Sequence, residues 1–195
     1  MKFEKINEEM KLHFSVSPKA KKRYIHSLGV VDMALKINEA NHLGLNEEDL
    51  KIAGILHDYL KAYSIDEQIE LLKKYSDELE LINYPSIIHS HVASLILKNK
   101  YNLSDEILNA IKYHTTGRPN MSNMEKVIFV SDAVEINRDY DDVEYYRNLA
   151  LKDLDRALFE ILEWTIKDLK ENNKPVYTDT INAYEYYKKE LKYEE

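Results

Sequence analysis

A histidine and an aspartate stand side by side in the otherwise apolar segment AGILHDYLK at 53–61. His57 and Asp58 are both titratable, and burying such groups costs several kcal/mol unless each finds a partner. A metal ion would satisfy both, because imidazole nitrogens and carboxylate oxygens are common ligands of transition metals. The pair therefore indicates a metal site, provided that other segments of the chain supply further ligands.

The spacing of apolar residues places four more titratable side chains on the inward faces of predicted helices. These are His26, His89, His114 and Asp132. A single inward histidine is most often an ordinary core residue, but six buried titratable groups on at least five helices would each need a partner. One shared metal ion removes that need. The remaining histidines, His13, His42 and His91, are predicted to lie at segment ends or off the inward face.

The helices that position these side chains are delimited by capping residues. Start signals occur at Ser17 with Pro18, Asn46, Ser64 with Glu67, Pro85, Ser104, and Ser122 with Glu125. A helical stretch with one break is predicted to follow Asp142 and run to Asn172, and a last helix closes the chain after the loop at 172–180. The ligands come from different helices, so the fold must assemble the site.

Composition favours an all-α protein with a single domain over 1–195. The 195 residues are 44% hydrophobic and 32% charged, with only 4 Gly and 4 Pro and no recognisable linker. The sequence has no Cys, which excludes disulfides, thiolate catalysis and cysteine-ligated metals. Any metal must therefore be held by histidine and carboxylate side chains.

Charge and hydropathy narrow the partners that we expect. A net charge of −8 disfavours binding to nucleic acid or to an anionic membrane. The charged first segment does not resemble a signal peptide, and no stretch approaches 18 apolar residues. We therefore expect a cytoplasmic protein that acts on a small molecule.

The order of the six inward groups resembles that of the HD-domain phosphohydrolases. More specific strings are similar to the bacterial HD-domain symmetrical bis(5'-nucleosyl)-tetraphosphatases, which cleave bis(5'-nucleosyl) tetraphosphates into two nucleoside diphosphates. The resemblance extends from about 18 to about 190 and lies in RYIHSLGV (23–30), AGILHDYLK (53–61), HSHVAS (89–94), IKYHTTGRP (111–119), SDAVEINR (131–138) and KPVYTDT (174–180). It implies an HD-type helical bundle with a metal site at its centre, a motif-bearing core at about 18–140, and C-terminal helices at about 142–195 that complete a nucleotide pocket.

The resemblance also implies roles for individual residues. The metal ligands would be His26, His57, Asp58 and Asp132. The expected metal is iron, with Mn, Co or Zn as alternatives, bound as one ion or two. Catalysis would involve Asp58 and Lys61, together with His89 and His114 as proton donors or as ligands of a second ion. The nucleotide contacts would be Arg23, Lys61, His89, His114, Thr115, Thr116, Gly117, Arg118, Asp132, Arg138, Val176, Tyr177 and Thr180.

The implied substrate is diadenosine tetraphosphate or a related dinucleoside polyphosphate, with ADP or GDP as product, and the resemblance allows a homodimer. Three residues depart from the family pattern: His91 replaces an expected Pro, and Ala133 and Ile136 replace an expected aromatic residue and Pro. Two other functions stay open, a nucleoside monophosphate phosphatase and a non-catalytic nucleotide-sensing module. A purely helical interaction domain would leave the six inward groups unexplained.

Overall fold

The computed structural model describes residues 3–191, and all regular secondary structure in this range is helical. The all-α prediction is therefore confirmed. Three short 3-10 helices lie at Phe14–Val16, Tyr59–Ala62 and Leu79–Asn83. The α-helices of the described range are α1 (Phe3–His13), α2 (Pro18–Ala40), α3 (Glu47–Leu56), α4 (Ile65–Tyr75), α5 (Pro85–Tyr101), α6 (Asp105–Tyr113), α7 (Asn123–Val134), α8 (Val143–Ala150), α9 (Leu154–Glu171) and α10 (Thr178–Glu190).

The predicted helix starts are confirmed at the level of hydrogen bonds. The side chains of Ser17, Asn46 and Ser104 each accept a backbone N–H from the first turn of α2, α3 and α6. Ser64 and Ser122 begin α4 and α7 with complete capping boxes. The predicted break after Asp142 separates α8 from α9, and residues 192–195 of the predicted last helix lie outside the described residues.

The core forms where α2 packs against α3 and α7, while α5 and α6 close the other side. Gly54 allows the close approach of α3 to α2, because a Cβ at this position would lie 3.0 Å from Val31 Cγ2 and 3.3 Å from Val31 Cα. This packing brings the middle of α2 next to the last turn of α3, where His57 and Asp58 follow. Within residues 3–191, no helix combines the length and the apolar character needed to cross a membrane.

Candidate metal centre

The fold brings all six inward side chains of the sequence together. His26 comes from α2, His89 from α5 and Asp132 from α7, each from within its helix. His57 is the C-cap residue that follows α3 and precedes Asp58, and His114 is the C-cap residue that follows α6. All six are buried except Asp132, whose side chain is 18% exposed and lies at the opening of the site. Five helices thus contribute to one cluster.

The first part of the cluster surrounds the Nε2 atoms of His26 and His57, which lie 3.3 Å apart. His26 Nε2 lies 2.9 Å from Asp132 Oδ1 and 3.8 Å from Asp58 Oδ2. His57 Nε2 lies 3.7 Å from Asp58 Oδ2 and 3.8 Å from Asp132 Oδ1. These are the four residues expected as metal ligands, and each of the two Nε2 atoms lies within 3.8 Å of both carboxylates.

The second part of the cluster lies on the other side of Asp58. His89 Nε2 and His114 Nε2 are 3.2 Å apart, and they lie 3.2 and 3.7 Å from Asp58 Oδ1. The two oxygens of Asp58 therefore face different pairs of histidines. Ligand atoms within 4.8 Å of one another occur in three groups: His26 with His57 and Asp58, His57 with His114 and Asp132, and Asp58 with His89 and His114.

Backbone hydrogen bonds decide where two of the histidines carry their protons. His57 Nδ1 lies 2.7 Å from the Gly54 carbonyl, and His114 Nδ1 lies 2.8 Å from the Ile111 carbonyl. A carbonyl oxygen can only accept, so each Nδ1 carries a proton and each Nε2 is the nitrogen that faces the cluster. His89 Nε2 lies 3.2 Å from Asp58 Oδ1, which accepts its proton in a hydrogen bond.

Glu135 completes the surroundings of His26, and the sequence reasoning did not single it out. Its Oε1 accepts a hydrogen bond from His26 Nδ1 at 3.0 Å, and its side chain is 1% exposed. Its Oε2 accepts from the backbone N and from Nδ2 of Asn137, both at 2.8 Å. A carboxylate behind a ligating histidine fixes the ring and raises its basicity. The signal in the sequence was its position three residues after Asp132, on the same helical face.

Burial and neighbouring groups shift the pKa values of the cluster in opposite directions. Burial lowers the pKa of His57 to about 4 and that of His89 to about 3, so both are neutral at pH 7. Burial opposes protonation of His26 too, but hydrogen bonds to Asp132 and Glu135 raise its pKa to about 9. Burial likewise opposes ionisation of Asp58 and Asp132, yet neighbouring histidines hold the pKa of Asp58 well below its usual range, and His26 with Arg138 does the same for the pKa of Asp132.

These protonation states fit a metal ion. The Nε2 atoms of His57 and His114 lie within 3.8 Å of carboxylate oxygens of Asp132 and Asp58, and the proton on His26 lies where a cation would replace it. His89 Nδ1 is buried without a hydrogen-bond partner in the described residues, which indicates a ring positioned for its other nitrogen. Imidazole nitrogens with carboxylate oxygens suit Fe, Mn, Co or Zn.

Comparison with protein families identifies this arrangement. The family model described as the HD domain matches residues 23–137, more than half of the chain, and this range contains the whole cluster. The chain belongs to the HD-domain family. Its single helical domain and its histidine and aspartate cluster are those of an HD protein, as the sequence predicted.

Relatives of known name cover most of this HD protein. It is 36% identical to the symmetrical bis(5'-nucleosyl)-tetraphosphatase of Bacillus subtilis, over 84% of this chain and 88% of the relative. It is also 36% identical to the protein of the same name from Staphylococcus aureus, over 85% of this chain and 87% of the relative. The crystal structure of a predicted HD superfamily hydrolase involved in NAD metabolism from Clostridium acetobutylicum superposes with a TM-score of 0.87 at 31% identity, covering 97% of this chain and 98% of the other.

Three cations lie beside the carboxylates of the HD cluster. Arg23 Nη1 lies 3.1 Å from Asp58 Oδ2, and Arg138 Nη2 lies 2.5 Å from Asp132 Oδ1. Lys61 is partly buried, and burial lowers its pKa. Arg23 and Arg138 also line an open basic pocket of about 460 Å³ beside His26, and the other cations of this pocket are Lys19 and Lys22. The surface next to the cluster therefore favours an anion despite the acidic chain.

A second pocket, of about 210 Å³, opens on the other side of Arg138 and has aromatic walls. We call it the aromatic cavity. Its lining comprises His114, Thr115, Phe129, Asp132, Ala133, Arg138, Tyr140, Ile161, Trp164 and Thr165. Asp132 and His114 belong to both the cluster and this lining, so the aromatic cavity adjoins the metal centre directly. Ala133 is one of the departures from the family pattern.

The segment 115–118, which was predicted to bind nucleotide, forms hydrogen bonds within the protein. Thr115 Oγ1 donates to Ser90 Oγ at 2.8 Å. Thr116 is fully buried and donates to the carbonyl of Gly117, which has a φ of +65° as expected of a residue that follows a helix. Arg118 forms hydrogen bonds from Nε and Nη2 to the buried Glu125. Thr116 and Arg118 therefore have internal partners that explain their presence.

The segment before α10 lies near the start of α5. Tyr177 is the N-cap of α10, and its ring centroid lies 5.0 Å from that of Tyr84 and 6.0 Å from that of His91. Val176 is partly buried, and Thr180 is 4% exposed. This aromatic group is separate from the lining of the aromatic cavity.

The prediction that His91 lies off the inward face is wrong. His91 is only 3% exposed, and its Nδ1 lies 3.3 Å from the Ile87 carbonyl oxygen. The reason is that α5 is covered on every side between 87 and 94 by α4, α6 and the neighbouring 3-10 helices, so no face of this stretch is free. Burial lowers the pKa of His91 to about 4.

Proposed function

We propose that this HD protein hydrolyses diadenosine tetraphosphate and related dinucleoside polyphosphates at its metal centre, releasing two nucleoside diphosphates. The observation that carries the proposal is the clustering of six histidine and aspartate side chains, Asp58 among them, in a chain that matches named tetraphosphatases over most of its length. The basic pocket next to the cluster supports an anionic substrate.

In this proposal His26, His57, Asp58 and Asp132 hold the metal. We infer iron, and the donor set also accepts Mn, Co or Zn. When bound, the metal supplies Lewis acidity and lowers the pKa of a coordinated water toward 7. Asp58 Oδ2 lies on the side of His26, whereas Oδ1 lies near His89 and His114. The Asp58 carboxylate therefore stands between the proposed metal site and these two histidines.

His89 donates a hydrogen bond to the leaving phosphate in the reaction that we propose; its pKa of about 3 leaves the ring neutral at pH 7, so the leaving group takes its proton from water. Its neutral ring carries the proton on Nε2, because the carboxylate oxygen Asp58 Oδ1, 3.2 Å away, accepts a hydrogen bond. The departing nucleoside diphosphate needs a proton or a cation as its phosphate charge develops. A second ion held by Asp58, His89 and His114 would displace this proton, and the number of bound metals therefore distinguishes the two roles.

Arg23, Lys61 and Arg138 neutralise the phosphates. Arg23 and Arg138 already contact carboxylates of the cluster, so both arginine side chains are held in place before the substrate binds. Such fixed charges stabilise the transition state without reorganisation. The proposal assigns α8 to α10 to the nucleotide pocket, with Tyr177 stacking on a base. Residues of α9 line the aromatic cavity next to the metal centre, which supports this assignment of the C-terminal helices.

The test is to incubate metal-loaded protein with diadenosine tetraphosphate and to separate the products by anion exchange. We expect two ADP, and we expect Asp58→Asn to lose more than about 100-fold in rate, since even the outer partners of metal ligands cost up to about that much. Asp32→Asn on the exposed side of α2 is the matched control and should keep full activity.

Other products would reject the proposal. ATP with AMP would rule out the symmetrical cleavage. Phosphate released from AMP would favour the nucleoside monophosphate phosphatase, and tight ADP binding without turnover would favour the sensing module.

A further inference from the structure

The aromatic cavity has the properties of a site for a flat heterocycle. Phe129 and Ile161 form buried walls, and Tyr140 and Trp164 form an aromatic edge. Its volume of about 210 Å³ is below the roughly 300–1,000 Å³ that is typical of sites for drug-sized ligands. The cavity therefore has room for one ring system and not for a complete nucleotide.

The aromatic edge is held in place by the backbone. The rings of Tyr140 and Trp164 stack with centroids 5.2 Å apart and planes at 22°. The Tyr140 hydroxyl donates to the carbonyl of Ala133 at 3.0 Å, which fixes this ring relative to α7. Trp164 is 40% exposed, so a large aromatic surface remains available beside the cavity. A preformed ring pair with an open face is a suitable stacking platform.

Charge is distributed unevenly along the lining. Arg138 is the only cation among the lining residues, and it lies next to Asp132 at the metal centre. The opposite end, at Tyr140, Ile161 and Trp164, is apolar or aromatic. Phosphate groups would therefore lie toward Arg138 and the metal centre, and an uncharged ring would lie toward Trp164.

We propose that the aromatic cavity binds one nucleobase of the substrate by stacking on the Tyr140 and Trp164 pair. This inference rests on the proposed function and adds to it, because a dinucleoside polyphosphate has two bases. Tyr177 and Tyr84 lie outside the lining of the cavity, so the second base has a separate aromatic partner. Ala133 contributes only a methyl group to the wall, and a larger side chain at this position would compete with the base.

Trp164 is the only tryptophan of the sequence, so its fluorescence reports directly on this site. The probe is diadenosine tetraphosphate with a methylene group between the second and third phosphorus atoms, which binds without symmetrical cleavage. We expect the probe to quench Trp164 fluorescence in the metal-loaded protein. Inorganic tripolyphosphate, which has no base, should bind without quenching.

Two variants test the cavity itself. Ala133→Phe should abolish the quenching and raise KM for diadenosine tetraphosphate about 5-fold to 100-fold, the range expected for one lost base–aromatic stack. Its metal content should equal that of the wild type. Trp164→Leu, at a partly exposed position that tolerates replacement, should raise KM similarly with little change in kcat. Tyr145→Leu, at a 53% exposed aromatic residue of α8, is the control and should keep the wild-type KM.

The outcomes separate the two proposals. If the probe binds by calorimetry but leaves the fluorescence unchanged, or if both variants cleave diadenosine tetraphosphate with wild-type KM, the base is elsewhere and this inference is overturned. If the wild type neither binds the probe nor releases ADP, the proposed function fails, and the inference falls with it.

Discussion

Glu135→Gln should weaken metal binding without changing a single ligand. The carboxylate has two sets of donors: His26 Nδ1 on Oε1, and the backbone N and Nδ2 of Asn137 on Oε2. A glutamine has one oxygen and one NH₂ group, so it can accept from only one of these sets and must turn a donor toward the other. The conservative change therefore breaks one side of the arrangement.

The expected loss follows from this geometry. Replacing the outer partner of a ligating histidine costs about 10-fold to 100-fold in metal affinity, which corresponds to about 1.4–2.7 kcal/mol. In the metal-free protein, the pKa of His26 should also fall from about 9, because the hydrogen bond to Glu135 is one of the interactions that raise it.

The assay is competition for the metal against a chelator of known affinity, with activity measured again at saturating metal. Activity should largely return when the site is refilled, since the ligands themselves are intact. Glu125→Gln is the matched control: this glutamate is equally buried, at 1% exposed, but its partners are Arg118 and Ser122. If Glu135→Gln binds metal as tightly as the wild type does, the supporting role of Glu135 is refuted.

Two more substitutions probe the surroundings of the cluster. Gly29→Ala should also lower metal affinity, because its Cβ would collide with Glu135 Oε2 and displace the carboxylate; unchanged affinity would show that the carboxylate has room to move. His91→Leu should reduce the decrease in the free energy of unfolding at acid pH. The pKa of His91 falls from 6.5 to about 4 on folding, so the unfolded chain binds the extra proton, and wild-type stability is lost as pH decreases from 6.5 toward 4. Urea unfolding should show the wild type losing about 2 kcal/mol more than the variant between pH 7 and pH 5.

Local signals predicted the helices well because capping is a short-range interaction. Ser64 and Ser122 each bond to a residue three positions later, and such pairs are visible in the sequence. The inward histidines were also predictable, since helical spacing fixes which residues share a face. His91 was the exception, because covering α5 on all sides depends on other helices and not on its own spacing.

Long-range pairings explain the remaining omissions. Tyr140 and Trp164 stack across 24 positions, and Glu135 reaches His26 across 109 positions. No periodicity within a single helix connects such residues. The sequence could place Glu135 on the same face as Asp132, but only the packing of α2 on α7 shows that His26 is the group that it meets.

Two helix ends determine the electrostatic character of the metal centre. α3 ends at Leu56 and α6 ends at Tyr113, and in both cases the next residue is a histidine whose Nδ1 donates to the carbonyl three positions earlier. That bond directs each Nε2 toward the cluster. It also places the C-terminal ends of both helices, each with a partial charge of about −0.5, next to the ion.

The centre thus has negative charge from two sources, the carboxylates of Asp58 and Asp132 and the C-terminal ends of two helices. This negative charge attracts a cation, but it would repel a polyphosphate. In the proposed function, Arg23 and Arg138, which lie against the carboxylates, would offset this repulsion with their positive charge. The same two arginines therefore contact the carboxylates proposed as metal ligands, and under the proposed function they would also contact the phosphates.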